Sequence, residues 1–163
     1  MITVDACFKK FTKTQKRVVS MIGHKNVDTP RIPSGFYELD CAMGGGLPTG
    51  RVSVVYGPEG SLKTTVCLKW IAAAQKIYPD KTAVFVDVEG HYDEEWARKM
   101  GVDTEKMGYI LPNDAEHCID TVNELLYADD LSIIIVDSLA AMTTQGELTQ
   151  SAENVPMGKT GLA

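Results

Sequence analysis

The chain has 163 residues, of which 44% are apolar and 23% are charged, and its formal net charge is −6 at pH 7. These values are typical of a globular domain and exclude disordered, collagenous and disulfide-scaffold proteins. No segment approaches the roughly 18 to 20 apolar residues that a membrane span needs, and residues 1–16 mix charges with Phe8 and Phe11, unlike a signal peptide. We therefore expect a cytoplasmic protein without a membrane segment.

The charge balance, 22 acidic against 16 basic residues, provides no general attraction to nucleic acid or to anionic membranes. The locally basic segment, residues 8–17, is either a DNA-binding patch or the solvated face of a helix, and charge runs are usually the latter. The four cysteines are far apart and form no zinc-ligand spacing with the three histidines. Reduced thiols are the expectation.

In chain order, residues 3–21 have the apolar spacing of a helix, and residues 24–33 form a polar, proline-bearing linker. Short apolar, β-branched segments then alternate with helical patterns that begin at Thr64, Asp93 and Asp114. This alternation predicts an α/β fold with a mostly parallel sheet flanked by helices. Ligands of such sheets bind beyond the carboxyl ends of the strands. The predicted strands are residues 52–56, 83–88, 109–111 and 131–136.

Two of the predicted helices carry an apolar stripe that is expected to face the core, because these side chains recur at helical spacing. In the helix over residues 64–77 the stripe is Val66, Trp70, Ala73 and Ile77. In the helix that Asp114 begins, it is Ile119, Val122, Leu125 and Leu126. The third helix is capped by Asp93 and runs to Met100.

The most informative motif lies between the first predicted strand and the following helix. It has the layout of the phosphate-binding loop G-x-x-x-x-G-K-[ST] with one departure, and in such a loop backbone N–H groups and the helix N-terminus bind phosphates. Lys63 would reach the β- and γ-phosphates, and the Thr64 hydroxyl would bind Mg²⁺. The alternative is a glycine-containing turn with an exposed lysine. The predicted nucleotide-binding residues are Gly57, Pro58, Glu59, Gly60, Ser61, Leu62, Lys63, Thr64 and Thr65.

The loop departs from the pattern at Leu62, which stands where the second glycine is expected. A side chain at this position would crowd the loop or restrict its backbone, and Gly60 is the residue that could provide the missing freedom. Without the second glycine, the pattern arises by chance in about one chain in ten of this length. The prediction of nucleotide binding therefore depends largely on the strand predicted before the loop and the helix predicted after it.

Carboxylates follow two other predicted strands. Asp137 ends the last strand, where it would hold Mg²⁺ through water; alternatively, Asp137 or Ser138 caps a helix. Asp87 and Glu89 share one face of their strand, and Glu89 lies further toward the ligand crevice. Glu89 would orient or deprotonate the water that attacks the γ-phosphate, or it is simply a surface acid.

Trp96 lies on the helix that Asp93 begins. It would stack on a purine ring, with Asp93 near the exocyclic amine. The alternative, a core aromatic on an amphipathic helix, is equally compatible with the sequence.

Several blocks of sequence together resemble the core of the RecA recombinase family, and specifically its bacterial and phage members. The resemblance covers residues 32–150, in order and at the family's spacing. The matching blocks are IPSGFYELD from Ile32, GLPTGR from Gly46, GPE from Gly57, FVDVE from Phe85, WARKMGVD from Trp96 and IVDSLAAMT from Ile135.

The resemblance implies an ATP- and Mg²⁺-dependent recombinase that polymerises head-to-tail on single-stranded DNA and exchanges strands, in a bacterial cytoplasm or as a phage protein in the host cytoplasm. It implies that Glu89 and Lys63 are catalytic, that Thr64 and Asp137 serve the metal, and that Asp93 and Trp96 border the adenine. Most members of the family have tyrosine at the position of Trp96.

The same resemblance divides the chain into residues 1–31, a helix and linker that pack on a neighbouring protomer, and residues 32–163, a partial ATPase core. The sequence stops about where the family's first DNA-binding loop begins, with residues 154–159 as its possible start. We therefore expect a core that is incomplete at its C-terminus, with most DNA contacts beyond Ala163. Two alternatives stay open: another RecA-fold ATPase without strand exchange, and a nucleotide-binding module that regulates a recombinase.

Overall fold

The structure is a computed structural model that describes residues 29–142. The chain separates into two units between Pro30 and Arg31, and every helix and strand given below belongs to the second. The predicted helix over residues 3–21 and the predicted loop over residues 154–159 lie outside the described residues.

Short strands and helices alternate along the described residues. The strands are β1 (Arg31–Ile32), β2 (Leu47–Pro48), β3 (Thr82–Asp87), β4 (Met107–Ile110) and β5 (Leu131–Asp137). The α-helices are α1 (Tyr37–Ala42), α2 (Lys63–Ile77), α3 (Glu94–Lys99) and α4 (Ala115–Leu125). Single 3-10 turns cover Thr104–Lys106 and Leu139–Ala141.

The central sheet is parallel and has the order β4-β3-β5, while β1 and β2 form a separate two-residue antiparallel pair. The α/β class with a parallel sheet is therefore confirmed. In the register of the sheet, Asp87 is paired with Asp137, so the carboxyl ends of β3 and β5 lie side by side. Side chains that follow these two strands meet at one edge of the sheet.

The two faces of β3 bury different neighbours, because successive side chains of a strand point in opposite directions. Ala83 and Phe85 face a core that also contains Leu68 and Ile71 of α2 and Ala97 of α3. Val84 and Val86 face Cys118 of α4 on the other side. This sandwich explains why β3 is almost continuously apolar and buried.

Helix α3 and helix α4 begin where the sequence predicts. The side chain of Asp93 accepts a hydrogen bond from the backbone N–H of Trp96, and that of Asp114 accepts one from His117. Both are N-caps that satisfy an otherwise unpaired donor of the first turn. The predicted strands over residues 83–88 and 131–136 are confirmed to within a residue, whereas the strand predicted over residues 109–111 begins two residues earlier.

The strand predicted over residues 52–56 is wrong for the described structure. No regular element forms there, and Val52 and Tyr56 are 96% and 90% exposed. Apolar, β-branched composition is not sufficient, because a strand exists only when another strand satisfies its backbone donors and acceptors. Among residues 29–142, no segment pairs with residues 52–56.

The predicted apolar stripes are confirmed in part. On α2, Trp70 is buried and Val66 and Ala73 are half-buried against the core, whereas Ile77, at the end of the helix, is 44% exposed. The other buried residues of α2 are Leu68, Ile71, Ala72 and Ala74. On α4, Ile119 and Leu126 are exposed, and the inward positions are 115, 118, 122 and 125. Ala115 and Cys118 are the buried residues of α4, and Val122 and Leu125 pack beside Val84 and Val86 of β3.

Within residues 29–142, no helix is long and apolar enough to cross a membrane. Cys41, Cys67 and Cys118 are free thiols, as the sequence predicts, and Cys7 lies outside the described residues.

Candidate functional site

The predicted phosphate-binding loop lies at the surface and leads directly into α2, as the motif requires. It is held by a hydrogen bond from the Ser61 N–H to the Pro58 carbonyl at 3.3 Å. A Cβ at Gly57 would lie 2.8 Å from the Ser61 hydroxyl oxygen, so the turn fits a glycine there.

Leu62 is the N-cap of α2, and its backbone is left-handed, with φ 64° and ψ 25°. It is the only non-glycine residue with positive φ in residues 29–142. Gly60 also has positive φ, 72°, but it does not relieve Leu62 of the left-handed conformation. The expectation of a restricted backbone at Leu62 is thus met, and an L-residue in this conformation is strained by about 1–2 kcal/mol.

Lys63 folds back over the loop. Its Nζ donates hydrogen bonds to the carbonyl oxygens of Gly57 at 3.1 Å and Pro58 at 3.0 Å. The ammonium group therefore lies inside the turn, beside the N-terminus of α2. This arrangement places a cation and the positive end of a helix dipole together, which favours a bound anion.

The structure brings Thr64 and Asp137 together, with the Thr64 hydroxyl donating to Oδ2 of Asp137 at 2.6 Å. Ser138 occupies the N-cap position of the following 3-10 turn, but its side chain does not cap that turn. Hard cations such as Mg²⁺ prefer oxygen ligands, and the Thr64 hydroxyl and the Asp137 carboxylate are both of this type. Residues 29–142 contain no group of three or more acidic, histidine or cysteine residues that could hold a metal. Thr64 and Asp137 supply two oxygen atoms that could serve a metal ion, and Mg²⁺ binding stays a prediction.

Cys67 lies one helical turn after Thr64. Burial, together with the negative charge of Asp137, raises the pKa of this thiol to about 11. The group therefore stays protonated at neutral pH and has the character of a packing residue rather than a nucleophile.

Glu89 follows β3, and its carboxylate is met by two side chains. Oε1 accepts a hydrogen bond from the hydroxyl of Ser138 at 2.5 Å, and Oε2 lies 3.5 Å from Nδ1 of His91. The side chain of Glu89 is 41% exposed, so it is open to solvent water. The contact with Ser138 was missed at the level of sequence; the pairing of β3 with β5 is what creates it.

Asp87 organises the turn that carries Glu89. Its buried carboxylate accepts backbone hydrogen bonds from Glu89, Gly90 and Tyr92 and one from the hydroxyl of Tyr109. Burial favours the neutral acid, but these hydrogen bonds favour the anion more strongly and hold the pKa of Asp87 below its usual value. Asp87 therefore has a structural role, and Glu89, which lies further beyond the strand, is the more exposed acid.

Trp96 is 39% exposed and is not a core residue. Its indole Nε1–H donates to Oγ1 of Thr65, in the first turn of α2, at 3.2 Å. Asp93 caps α3 through the Trp96 backbone N–H at 2.9 Å. The predicted adenine-bordering residues therefore lie beside the helix that follows the loop, while their contact with a nucleotide stays a prediction.

Comparison with known proteins identifies similar sequences. Residues 2–161 match the family described as RecA N-terminal domain. Two similar relatives, both named Protein RecA, come from strains of Nitratidesulfovibrio vulgaris: Miyazaki F, 40% identical over 135 residues, and DP4, 39% identical over 142 residues. These alignments cover 82% and 86% of this chain but only 37% and 39% of the relatives.

Proposed function

Because the chain belongs to the RecA family, we propose that it binds ATP with Mg²⁺ and hydrolyses it as the nucleotide-binding part of a DNA-dependent recombinase. The observation that carries the proposal is the pairing of Thr64 with Asp137 directly behind the loop that holds Lys63. Three groups of the kind that phosphoryl transfer requires thus converge at one edge of the sheet.

Each residue then has a defined task. Lys63 exchanges its two loop carbonyls for phosphate oxygens, which is favourable because charge-assisted hydrogen bonds to an anion are stronger than those to neutral carbonyls. Thr64 and Asp137 would hold Mg²⁺, which would supply positive charge to offset the negative charge of the transferring phosphoryl group. Glu89 orients and accepts a proton from the attacking water. The exposed face of Trp96 stacks on the adenine.

The proposed partners are single-stranded DNA and further copies of the chain in a head-to-tail filament, in a bacterial or phage-infected cytoplasm. They follow from family membership, and the chain spans less than two fifths of the length of the relatives described above. The predicted protomer-packing arm, residues 1–31, and the predicted DNA loop near residue 154 belong to this proposal.

One observation favours the second candidate, a nucleotide-binding module without turnover. Residues 52–56, which precede the loop, form no strand in the described structure, so the loop is anchored on its α2 side only. Catalysis requires that the reacting groups be held to within fractions of an ångström, whereas binding tolerates more freedom.

The test is ATP binding by calorimetry and ATP hydrolysis with and without single-stranded DNA, using Lys63→Ala and, as a matched control, Lys76→Ala. Lys76 is an exposed lysine in the last turn of the same helix. Hydrolysis that DNA stimulates and that only Lys63→Ala abolishes supports the recombinase. Hydrolysis indifferent to DNA supports another RecA-fold ATPase, binding without hydrolysis supports the module, and equal behaviour of both variants contradicts nucleotide binding at this loop.

A further inference from the structure

The structure links α3 to the first turn of α2 through a side-chain hydrogen bond. Nε1 of Trp96 donates to Oγ1 of Thr65 at 3.2 Å, across 31 positions of sequence. At its other end, the backbone N–H of Trp96 is fixed by Asp93. The next residue, Ala97, is fully buried in the core beside α2. The Trp96 ring is therefore restrained by contacts at its backbone and at its polar edge.

An indole differs from other aromatic side chains in the place of its polar group. Its N–H is a donor only, and it lies on the edge of the five-membered ring, so one acceptor in the right place defines how the ring is turned. Thr65 supplies that acceptor. A hydroxyl can accept this bond and still donate its own hydrogen elsewhere. A phenylalanine at position 96 would have no polar edge for Thr65 to hold.

The exposed fraction of Trp96 shows that a ligand can still reach this residue. Trp96 is 39% exposed although its N–H is bonded, so part of the residue remains accessible to a ligand. A preoriented aromatic face binds a planar base at lower entropic cost than a freely rotating one.

We propose that Thr65 is a positioning residue that turns the Trp96 ring to stack on the purine base of a nucleotide. The inference rests on the proposed function, since it requires a nucleotide at the neighbouring loop. In this arrangement, one hydroxyl in the first turn of α2 connects base recognition with the phosphate-binding loop.

The first experiment needs no nucleotide. The chain has two tryptophans, and Trp70 is only 3% exposed, so acrylamide quenching of fluorescence reports mainly on Trp96. Thr65→Val removes the acceptor at nearly constant shape, and Thr65→Ser retains it. We expect a larger quenching constant for Thr65→Val and the original value for Thr65→Ser; equal constants for all three proteins overturn the inference. A thermal melt checks that each variant is folded.

The second experiment is a double-mutant cycle of ATP affinity, by calorimetry, with Thr65→Val and Trp96→Phe, which keeps an aromatic face but lacks the N–H. Loss of one hydrogen bond is expected to weaken ATP binding about 2- to 12-fold in either single variant, with little further loss in the double variant. Additive losses overturn the inference.

Inorganic tripolyphosphate, which has no base, provides the control ligand. The coupling between the two positions should disappear with it; coupling of the same size would mean that Thr65 acts on the phosphates, which overturns the inference. If the wild-type chain binds no ATP, the proposed function fails, while the quenching experiment still decides whether Thr65 holds the Trp96 ring.

Discussion

Thr64 and Asp137 are 73 positions apart in the sequence, yet the hydroxyl of Thr64 donates a hydrogen bond of 2.6 Å to the carboxylate of Asp137. The bond joins the first turn of α2 to the last residue of β5. A hydroxyl–carboxylate bond of this length is charge-assisted and therefore strong. It holds the hydroxyl and the carboxylate at a fixed separation.

Replacing Asp137 by asparagine should weaken the dependence of ATP affinity on Mg²⁺. The amide keeps the shape of the side chain but not its charge, and loss of such a supporting group typically costs about 10- to 100-fold in metal affinity. The measurement is ATP calorimetry with and without Mg²⁺. Asp129→Asn, at an exposed position before β5, is the matched control. An unchanged effect of Mg²⁺ in Asp137→Asn would contradict the assignment.

Leu62→Gly should stabilise the chain by up to about 1 kcal/mol. The left-handed backbone costs leucine about 1–2 kcal/mol, and the greater unfolded-state freedom of glycine offsets about 0.5–1 kcal/mol of the gain. Thermal melting of the folded chain measures the difference.

Leu62→Ala is the control for this prediction, because alanine keeps the backbone restriction while it removes most of the exposed side chain. If alanine and glycine raise the melting temperature equally, the side chain rather than the backbone is responsible. Nucleotide affinity and turnover in Leu62→Gly show whether the strain bears on function; unchanged values would mean that it does not.

Asp87→Asn should destabilise the chain by about 1.5–3 kcal/mol, because hydrogen bonds to a charged acceptor contribute this much and the amide cannot accept all of them. The pKa of Asp87 is lower in the folded chain than in the unfolded one. Its contribution is therefore fully present above about pH 4, the ordinary range of an aspartate, and is lost as the pH falls through the folded pKa.

Urea unfolding at a series of pH values measures this effect. The difference in stability between wild type and Asp87→Asn should be large at neutral pH and shrink in acid. Asp40, whose pKa is also lowered, by hydrogen bonds from Ser34 and Gly35 that outweigh its desolvation, remains in both proteins and cancels in the comparison. A difference that is constant with pH would show that the charge of Asp87 does not matter.

The chain should associate as its concentration rises. Val52 and Tyr56 are almost fully exposed, and Val54 is 67% exposed, so an apolar stretch faces solvent. Such stretches favour self-association. Sedimentation of the wild type should show larger species with increasing concentration, and Val52→Thr with Val54→Thr should reduce them without lowering the melting temperature. A monomer at every concentration would contradict this.

The sequence predicted the elements whose signals are local. The caps at Asp93 and Asp114 and the buried strand at residues 83–88 depend on a few neighbouring residues, and each is found. The failed strand at residues 52–56 depends on a pairing partner, which no local pattern reveals. The displaced stripe of α4 has a similar origin, because which of its side chains face inward depends on how the helix packs against Val84 and Val86 of β3.

In the candidate site, too, features that depend on local sequence were predicted, and contacts that depend on the tertiary fold were not. The motif around Lys63 and the acid at the end of β5 were predicted from their place relative to strands and helices, and the structure brings Thr64 and Asp137 together. The contacts of Ser138 with Glu89 and of Thr65 with Trp96 were not predicted. They depend on which strands are neighbours and on the direction of single side chains, and neither can be obtained from one sequence.

Along β3, the alternation of side chains determines both which residues pack in the core and where the candidate site residues lie. Phe85 reaches the α2 side of the sheet and Asp87, two positions later, anchors the turn that presents Glu89. The register of β3 against β5 already shifts by one residue between Thr82 and Ala83, so the alternation that matters runs from Ala83 to Asp87. Deleting or inserting one residue within that part of the strand would exchange the two buried layers and would also turn the Asp87 carboxylate away from the turn that it holds.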